Sequence, residues 1–414
     1  MNSKTLPKPA QLEKKVLKRI ARILPAKEPP LPKKYIPVCE PSITAKETGY
    51  VLKALHSGWV SSEGESVEQF EKLFARKVSH TKYAIAVNSG TSAVHLALAA
   101  LGIGAGDEVI MPAFTMVACA NAVAYTGATP ILIDSDPQTL NIAVEKIEAK
   151  ITKRTKAIMP VHIYGLAADM DPILRIAKRY YLWVIEDAAE AQGAQYHEKH
   201  VGGIGDVGAF SLYANKIVTS GEGGMVTTNN KAIAKLVSLL RNHAFTKERH
   251  FWHQYLGYGY RMTNLQAALA LAQTERFETL GRNRIQNAKL YMKHLQGVKG
   301  LSFPTEPKGT KHIYWMFSLL VEKKKFGMSK NELRRFLAKA GIETRSFFIP
   351  MHLQPIYYER YKQQHFPVSE RLCRDGLYLP SASTLTQKQI AYIAGKIKAA
   401  HQKGRKRTLF QPPV

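Results

Sequence analysis

The chain has 414 residues, of which 45% are hydrophobic and 22% are charged, and it carries a formal net charge of +27. This composition is that of a globular protein with a large core. Because the chain contains no apolar run long enough to span a bilayer and no recognisable signal peptide, we expect a cytoplasmic protein. The three cysteines, Cys39, Cys119 and Cys373, are odd in number and widely spaced, which excludes a disulfide framework and predicts that no metal is bound.

Residues 1–34 form a basic extension that carries ten lysines or arginines against two glutamates. The pattern of residues 10–24 predicts an amphipathic helix, and the prolines that follow predict a stiff linker. A surface this basic attracts anions, but no nucleic-acid-binding motif is recognisable, so we expect no specific nucleic acid partner. A helix of this kind at residues 10–24 can make weak contact with an anionic membrane, which would place the protein at the inner membrane face. The alternative is a disordered or dimer-packed helix that has no lipid role and only covers protein surface.

From Tyr35 onwards, strand-like and helical segments alternate along the chain. Strands are predicted at residues 83–87, 108–111, 130–133, 157–161, 182–185 and 208–212. Helical patterns lie between most of them, for example at 172–179, where Asp171 is placed to be the N-cap. Apolar strands separated by helices are typical of a mainly parallel sheet with helices on both faces. Ligands of such sheets bind at the carboxyl ends of the strands.

The pattern changes near Arg276 to that of a smaller α+β unit, with strands predicted at 314–321 and 377–379. We therefore predict an α/β protein with two domains. The expected limits are 1–34 for the extension and linker, 35–275 for the large domain, 276–402 for the small domain and 403–414 for a basic tail.

The strand predicted at 83–87 runs into the sequence NSGTS at residues 88–92, and a helical pattern follows. The first turn of that helix offers free backbone N–H groups, the positive end of the helix dipole and the hydroxyls of Thr91 and Ser92. Such a turn predicts a binding site for a phosphate dianion. The alternative is that these serine and threonine side chains are ordinary helix caps.

Lys216 follows a run of small and polar residues, and the strand-like stretch upstream of it ends in the acid Asp187. An amine that bonds to the aldehyde of pyridoxal phosphate, and an acid that keeps the pyridine nitrogen protonated, are the two groups that this cofactor needs. A lysine by itself is more often a solvated surface charge. Its combination with Asp187 and with a phosphate turn favours a pyridoxal phosphate site.

Several strings of residues together resemble the DegT/StrS family of sugar aminotransferases, over residues 36–400. The strings are residues 57–61 (SGWVS), 88–92 (NSGTS), 112–115 (PAFT), 186–191 (EDAAEA) and 221–224 (GEGG). The resemblance implies the fold of fold-type I aminotransferases, in which a large domain has a seven-stranded, mainly parallel sheet and a smaller α+β domain follows. It also implies a homodimer with its active site at the interface.

The resemblance implies a role for each residue of these motifs. Lys216 matches the lysine that binds the cofactor and carries a proton, and Asp187 matches the acid that pairs with the pyridine nitrogen. Glu190 would face the ring hydroxyl, and Asn215 would shape the surroundings of the lysine. The residues expected to hold the cofactor phosphate are Gly90, Thr91, Ser92 and Ser211.

Two positions depart from the family pattern. Met116 stands where most members place an aromatic ring on the cofactor face, and a thioether makes a softer contact with such a ring. Gly259 stands where many members supply an asparagine from the partner subunit to the phosphate, with Arg261 as a candidate substitute. Neither departure removes the groups that carry the chemistry.

Residues 252–253, 258–264 and 342–354 are most similar to members that convert GDP-4-keto-6-deoxymannose to GDP-perosamine, with glutamate as the amino donor. One alternative is an aminotransferase for UDP- or dTDP-linked keto sugars with another regiochemistry. Another is a non-catalytic binding or regulatory protein with the same fold. The side chains expected near the substrate are those of Trp59, His162, Arg345 and His352, with His162 included because it follows a predicted strand.

Overall fold

The structure is a computed structural model that describes residues 14, 18, 21, 23–246 and 251–409. Most of the amphipathic helix predicted at 10–24 therefore lies outside the described residues, as does the end of the basic tail. Within the described ranges, every helix is too short or too polar to span a bilayer.

The elements follow one another in an alternating order over the first two thirds of the chain. The helices are α1 (Ala45–His56), α2 (Glu65–Phe74), α3 (Gly90–Ala100), α4 (Val117–Tyr125), α5 (Met170–Tyr180), α6 (Lys231–Leu240), α7 (Asn264–Glu275), α8 (Phe277–Leu295), α9 (Lys323–Phe326), α10 (Lys330–Lys339), α11 (Pro355–Tyr361), α12 (Pro367–Asp375) and α13 (Gln387–Leu409). The strands are β1 (Tyr83–Val87), β2 (Glu108–Pro112), β3 (Thr129–Ile133), β4 (Thr155–Ile158), β5 (Trp183–Asp187), β6 (Gln195–Tyr196), β7 (Lys199–His200), β8 (Val207–Ser211), β9 (Gly224–Thr228), β10 (Leu301–Ser302), β11 (Thr310–Lys311), β12 (Phe317–Val321), β13 (Arg345–Ser346) and β14 (Gly376–Leu379).

The large sheet has seven strands in the order β1-β9-β8-β5-β4-β2-β3. All neighbouring pairs are parallel except those of β9, which runs antiparallel to both β1 and β8. The predicted α/β class with a mainly parallel sheet is confirmed. Strand β9 was not predicted, because its residues follow the glycine-rich turn after Lys216 and read as part of the surroundings of that lysine.

Helices cover both faces of the large sheet, because its strands are apolar on both faces. In β1, Ile85 and Val87 belong to the core that packs α3, α4 and α6, whereas Ala84 and Ala86 belong to the core that packs α2 and α5. All five residues of β2 are buried. The ends of the central strands are thereby fixed between two packed layers, which gives the loops that follow them a rigid base.

One detail of the predicted helix at 172–179 was wrong. Helix α5 begins at Met170 with Asp169 as its N-cap residue, so Asp171 lies inside the first turn. The side chain of Asp169 accepts a hydrogen bond from the Tyr196 hydroxyl at 2.6 Å and none from the helix. The carboxylate of Asp171 still lies near the positive end of the helix, where a negative charge is stabilising.

A second sheet of four antiparallel strands, in the order β10-β12-β14-β13, lies in the C-terminal third of the chain. Helices α8, α10 and α13 contribute to its hydrophobic core. Residues between β13 and β14 return to the large sheet, since Met351, Tyr361, Phe366 and Leu372 pack in its core. The domain limits proposed from the sequence, including the boundary at 275–276, stay a prediction.

Candidate active site

The carboxyl ends of the central strands surround a cavity of about 310 Å³. Segments from both halves of the chain contribute to its wall. The lining residues include Ser89, Gly90, Thr91, Met116, Asp187, Glu190, Ser211, Tyr213, Asn215, Lys216, Trp315, Phe348 and Tyr378. Eight of the nine residues expected at the cofactor are in this list, and the exception is Ser92.

The turn between β1 and α3 forms one end of the cavity. Ser89 is the N-cap of α3, and its Oγ accepts a hydrogen bond from the N–H of Ser92 at 3.0 Å. The Ser92 hydroxyl donates to Oδ1 of Asn88 at 2.5 Å, so this side chain braces the turn and lies behind the cavity wall. The backbone N–H groups of Gly90 and Thr91 stand at the positive end of α3, where an anion is stabilised.

Close backbone packing brings β8 and β9 against this turn. A Cβ atom on Gly90 would lie 2.8 Å from Cβ of Ser211, and a Cβ atom on Gly224 would lie 2.2 Å from the carbonyl oxygen of Ser89. Both distances are shorter than real Cβ contacts, so only glycine fits at these two positions. As a result, Ser211 lies beside the start of α3 with its side chain in the cavity wall.

Asp187 ends strand β5 and is only 5% exposed. Its Oδ2 accepts a hydrogen bond from Sγ of Cys119 at 2.7 Å, and its Oδ1 accepts one from the N–H of Ala189 at 3.0 Å. Burial raises the pKa of the Cys119 thiol far above its usual range, and the charge of Asp187 adds to that rise. The thiol is therefore a protonated donor that fixes the carboxylate in one orientation.

Lys216 is 9% exposed, and its Nζ lies 3.7 Å from the centre of the Trp315 ring. Burial lowers the pKa of this amine, and the nearby carboxylates of Glu190 and Asp187 oppose the shift. Burial also raises the pKa of the Glu190 carboxyl to about 7. The Oε2 atom of Glu190 accepts the N–H of Tyr164 at 2.8 Å. Burial thus moves the pKa values of the amine and of the acid toward each other, which suits the pair to proton transfer.

The backbone around Lys216 is held by side chains from distant parts of the chain. The carbonyl oxygen of Asn215 accepts hydrogen bonds from the Trp315 indole at 2.9 Å, from Arg284 at 3.2 Å and from the Cys39 thiol at 3.3 Å. None of these three donors was predicted from the sequence, and they lie far from Lys216 along the chain, so no local pattern could have indicated them.

Gln192 is a second support that the sequence analysis missed. Its Nε2 donates to the carbonyl oxygens of Ser211 at 2.8 Å and of Val218 at 3.1 Å, and its Oε1 accepts the N–H of Val218 at 2.7 Å. These bonds join the end of β8 to the loop after Lys216. Gln192 lies two residues after Glu190, and this short distance from an expected cofactor residue was a signal that could have indicated its supporting role.

Residues 41–398 match the model of the DegT/DnrJ/EryC1/StrS aminotransferase family. The chain belongs to this family. It is 45% identical over 364 residues to the GDP-perosamine synthase of Escherichia coli, covering 88% of this chain and 98% of the relative. It is 44% identical over 358 residues to the GDP-perosamine synthase of Caulobacter vibrioides, covering 86% of this chain and 95% of the relative.

Solved structures agree with this membership of the DegT/DnrJ/EryC1/StrS family. The structure of DesV from S. venezuelae in complex with a ketimine intermediate has a TM-score of 0.82 and 32% identity, covering 86% of this chain and 95% of that one. The PLP form of a sugar aminotransferase from Streptococcus pneumoniae has a TM-score of 0.83 and 26% identity, covering 89% and 99% of the two chains. Our chain is thus an aminotransferase with the fold expected from its sequence.

His162 was expected near the substrate, but the structure places it elsewhere. Its ring is fully buried, with Nε2 3.0 Å from Oε2 of Glu186 and with Nδ1 accepting the N–H of Ala168 at 3.0 Å. Glu186 also accepts the backbone N–H groups of Gly202, Ile204 and Gly205. Neither His162 nor Glu186 belongs to the cavity lining. A position just after a strand places a residue at the carboxyl edge of the sheet. It does not determine the face of the sheet on which the side chain lies.

The other three residues expected near the substrate also lie outside the cavity lining. Trp59 is 58% exposed and lines a separate cavity of about 560 Å³ beside α1 and α7. The exposed Arg345 pairs with Glu343 at 2.6 Å. His352 is buried, with Nε2 3.1 Å from Oε1 of Glu370. Their roles toward a substrate stay a prediction.

The two positions that depart from the family pattern have clear places in the fold. Met116 is 49% exposed and lines the cavity immediately before α4. Gly259 lies against the ring of His243. The next residue, Tyr260, accepts the N–H of Asn88 at 2.9 Å through its carbonyl oxygen, and Arg261 donates to the side-chain oxygen of Asn242. Residues 259–261 therefore lie beside the end of β1 in their own subunit.

Proposed function

We propose that this protein transfers the amino group of glutamate to C4 of GDP-4-keto-6-deoxymannose, giving GDP-perosamine, with pyridoxal phosphate as cofactor. The observation that carries the proposal is one cavity in which a buried lysine, a buried aspartate and the start of a capped helix meet. The extensive identity to relatives named GDP-perosamine synthase supports this substrate over other nucleotide sugars.

The residues present fit pyridoxal phosphate at each of its polar groups. The N–H groups of Gly90 and Thr91, with the hydroxyls of Thr91 and Ser211, would hold the phosphate at the start of α3. Asp187 would face the ring nitrogen, and Glu190 would face the ring hydroxyl. When bound, the cofactor supplies an aldehyde that takes up an amine and a ring that accepts electrons.

The protein's own contribution to the reaction is to hold and move protons. The Asp187 carboxylate, held by Cys119 and the N–H of Ala189, stabilises a proton on a ring nitrogen next to it. Nζ of Lys216 has a lowered pKa because it is buried, so it gives up its proton more readily than a surface lysine does. It can take a proton from one carbon and return it to another without a change of partner.

The proposed partners are glutamate, a nucleotide sugar whose diphosphate suits the basic chain and, as the family resemblance implies, a second copy of the chain that completes the site. The predicted helix at residues 10–24 would add weak contact with an anionic membrane from the cytoplasmic side. Sedimentation of the holoenzyme tests the dimer, since a fully active monomer would contradict it.

The test is an amino-transfer assay with glutamate and a panel of GDP-, UDP- and dTDP-linked 4-keto-6-deoxy sugars, with products identified by mass spectrometry and NMR. We expect amination at C4 and the highest kcat/KM for the GDP sugar. A preference for a UDP or dTDP sugar, or amination at another carbon, would replace the proposed substrate. Absence of turnover of glutamate with every sugar of the panel would favour a binding or regulatory protein.

A further inference from the structure

We propose that residues 23–34, which we call the strap, hold the loop 345–354 in place and thereby set the affinity for the sugar nucleotide. The inference rests on the proposed function only for the identity of that substrate. The strap lies before the family match, which begins at residue 41.

The first contact is apolar. Ile23 and Leu24 of the strap pack against a small cluster formed by Leu353 and Tyr358. Ile349, from the middle of the loop, packs against the same cluster. The carbonyl oxygen of Ile23 also accepts a hydrogen bond from the thiol of Cys373 in α12 at 3.6 Å. The start of the strap and the loop therefore share one core, which removes apolar surface of both from water.

The second contact is ionic. Arg334 is only 1% exposed, and its guanidinium forms an ion pair with Glu28 of the strap. The same group donates to the carbonyl oxygen of Thr344 at 2.9 Å and to the hydroxyl of Ser346 at 2.9 Å. Among the described residues, Glu28 is the one carboxylate that pairs with Arg334. Because a buried guanidinium is costly without a counter-charge, Glu28 stabilises the arginine that holds the beginning of the loop.

The loop connects these contacts to the cavity over a few residues. Ser346 is bound by Arg334, and the ring centre of Phe347 lies 4.8 Å from that of Tyr164. Phe348 lines the cavity, and Ile349 packs in the strap cluster. The cavity wall residue Phe348 thus lies between Ser346, which is bound by the arginine that pairs with the strap, and Ile349, which packs with the strap.

The strap lies outside the lining that contains Lys216 and Asp187. Phe348 itself belongs to that lining, so loss of the strap should loosen Phe348 and weaken binding of the larger substrate, the sugar nucleotide, more than binding of the cofactor or of glutamate. A purely structural clasp would lower thermal stability without changing the KM for the sugar. The ratio of the KM for the sugar nucleotide to the KM for glutamate consequently separates a positioning role of the strap from a structural one.

The experiment compares the full chain with a deletion of residues 1–22, a deletion of residues 1–34, Glu28→Gln and the control Glu145→Gln. Glu145 is an exposed surface residue, so it tests the same chemical change away from the strap. Two quantities are measured: deuterium uptake of residues 344–354 in the holoenzyme without substrate, and the KM values for GDP-4-keto-6-deoxymannose and for glutamate.

We expect the deletion of 1–34 to raise deuterium uptake in 344–354 and to raise the KM for the sugar about fivefold, with a smaller rise for Glu28→Gln. The deletion of 1–22 and Glu145→Gln should match the full chain. Equal deuterium uptake in all proteins would contradict the proposal that the strap holds the loop in place. Raised uptake with an unchanged KM for the sugar would contradict a role of the strap in affinity. Uptake is measured without substrate, so a failure of the proposed function would not change that result.

Discussion

The thiol sulfur of Cys119 lies 2.7 Å from Oδ2 of Asp187, and both side chains are buried at the end of β5. Burial keeps the thiol protonated by raising its pKa. Cys119 is therefore a hydrogen-bond donor to the carboxylate that would face the cofactor nitrogen. We class it as a positioning residue, because it acts through Asp187.

Replacement of Cys119 tests this relationship. Cys119→Ala removes the donor and should lower kcat about tenfold, since a hydrogen bond to a charged group contributes on the order of 1.5 kcal/mol. Cys119→Ser keeps a donor and should retain most of the activity. The pH profile of the cofactor absorbance, measured in parallel, should shift in the alanine variant only. Alanine and serine variants that both behave like the wild type would contradict the role.

The raised pKa of Glu190 predicts how stability depends on pH. Its pKa rises from 4.5 to about 7 on folding because the side chain is buried. The folded state therefore holds this proton more tightly, and stability is lost as the pH rises from 4.5 to 7. The loss is at most about 3 kcal/mol. Urea unfolding of the apoprotein at pH 5 and pH 7.5 should show it, and Glu190→Gln should reduce it. If the free energy of unfolding depended on pH in the same way in the wild type and in Glu190→Gln, that result would contradict a buried acid at position 190.

A methyl group at Gly90 should disturb the phosphate turn. The added Cβ would lie 2.8 Å from Cβ of Ser211, so β8 and α3 would have to separate, and Gly90→Ala should weaken cofactor binding at least tenfold. Gly49→Ala is the matched control, because Gly49 lies in α1 with open space around the position of its Cβ. This control should bind the cofactor normally and be more stable by about 0.5–1 kcal/mol. Cofactor titration by fluorescence provides both affinities, and equal values would exclude a close contact at Gly90.

The basic extension predicts an interaction that depends on salt. Deletion of residues 1–22 should leave kcat and KM unchanged but reduce binding to liposomes that contain anionic lipid, because each basic residue near such a surface contributes about 1 kcal/mol. Sedimentation with liposomes at low and high salt measures the difference. Liposome binding that is the same with and without these residues would exclude a membrane role for the predicted helix at 10–24.

Short motifs indicated which residues meet in the cavity at the end of the central strands. The phosphate turn at 88–92, the acid at 187 and the lysine at 216 each stand next to a strand whose apolar pattern is clear in the sequence. Because parallel strands end at one edge of a sheet, residues in such positions come together. The same reasoning misplaced His162, whose side chain lies on the opposite side of the sheet edge and binds Glu186.

Contacts between distant segments could not be predicted. Trp315 and Arg284 reach the carbonyl oxygen of Asn215 from the C-terminal part of the chain, and neither has a distinctive local sequence. Most of the strap was expected to be a stiff linker, because prolines follow the predicted helix there. The buried side chain of Arg334 provides the partner for its Glu28, and the need for that partner is visible only once the fold is known.

The central claim is that Lys216 binds pyridoxal phosphate, and one measurement tests it most directly. The holoenzyme is reduced with borohydride, digested, and mapped by mass spectrometry for the lysine that carries the added mass of the cofactor. We predict that the mass is found on Lys216, because its amine is buried in the cavity between Asp187, Glu190 and Trp315. Modification of another lysine, with Lys216 unmodified, would contradict the account.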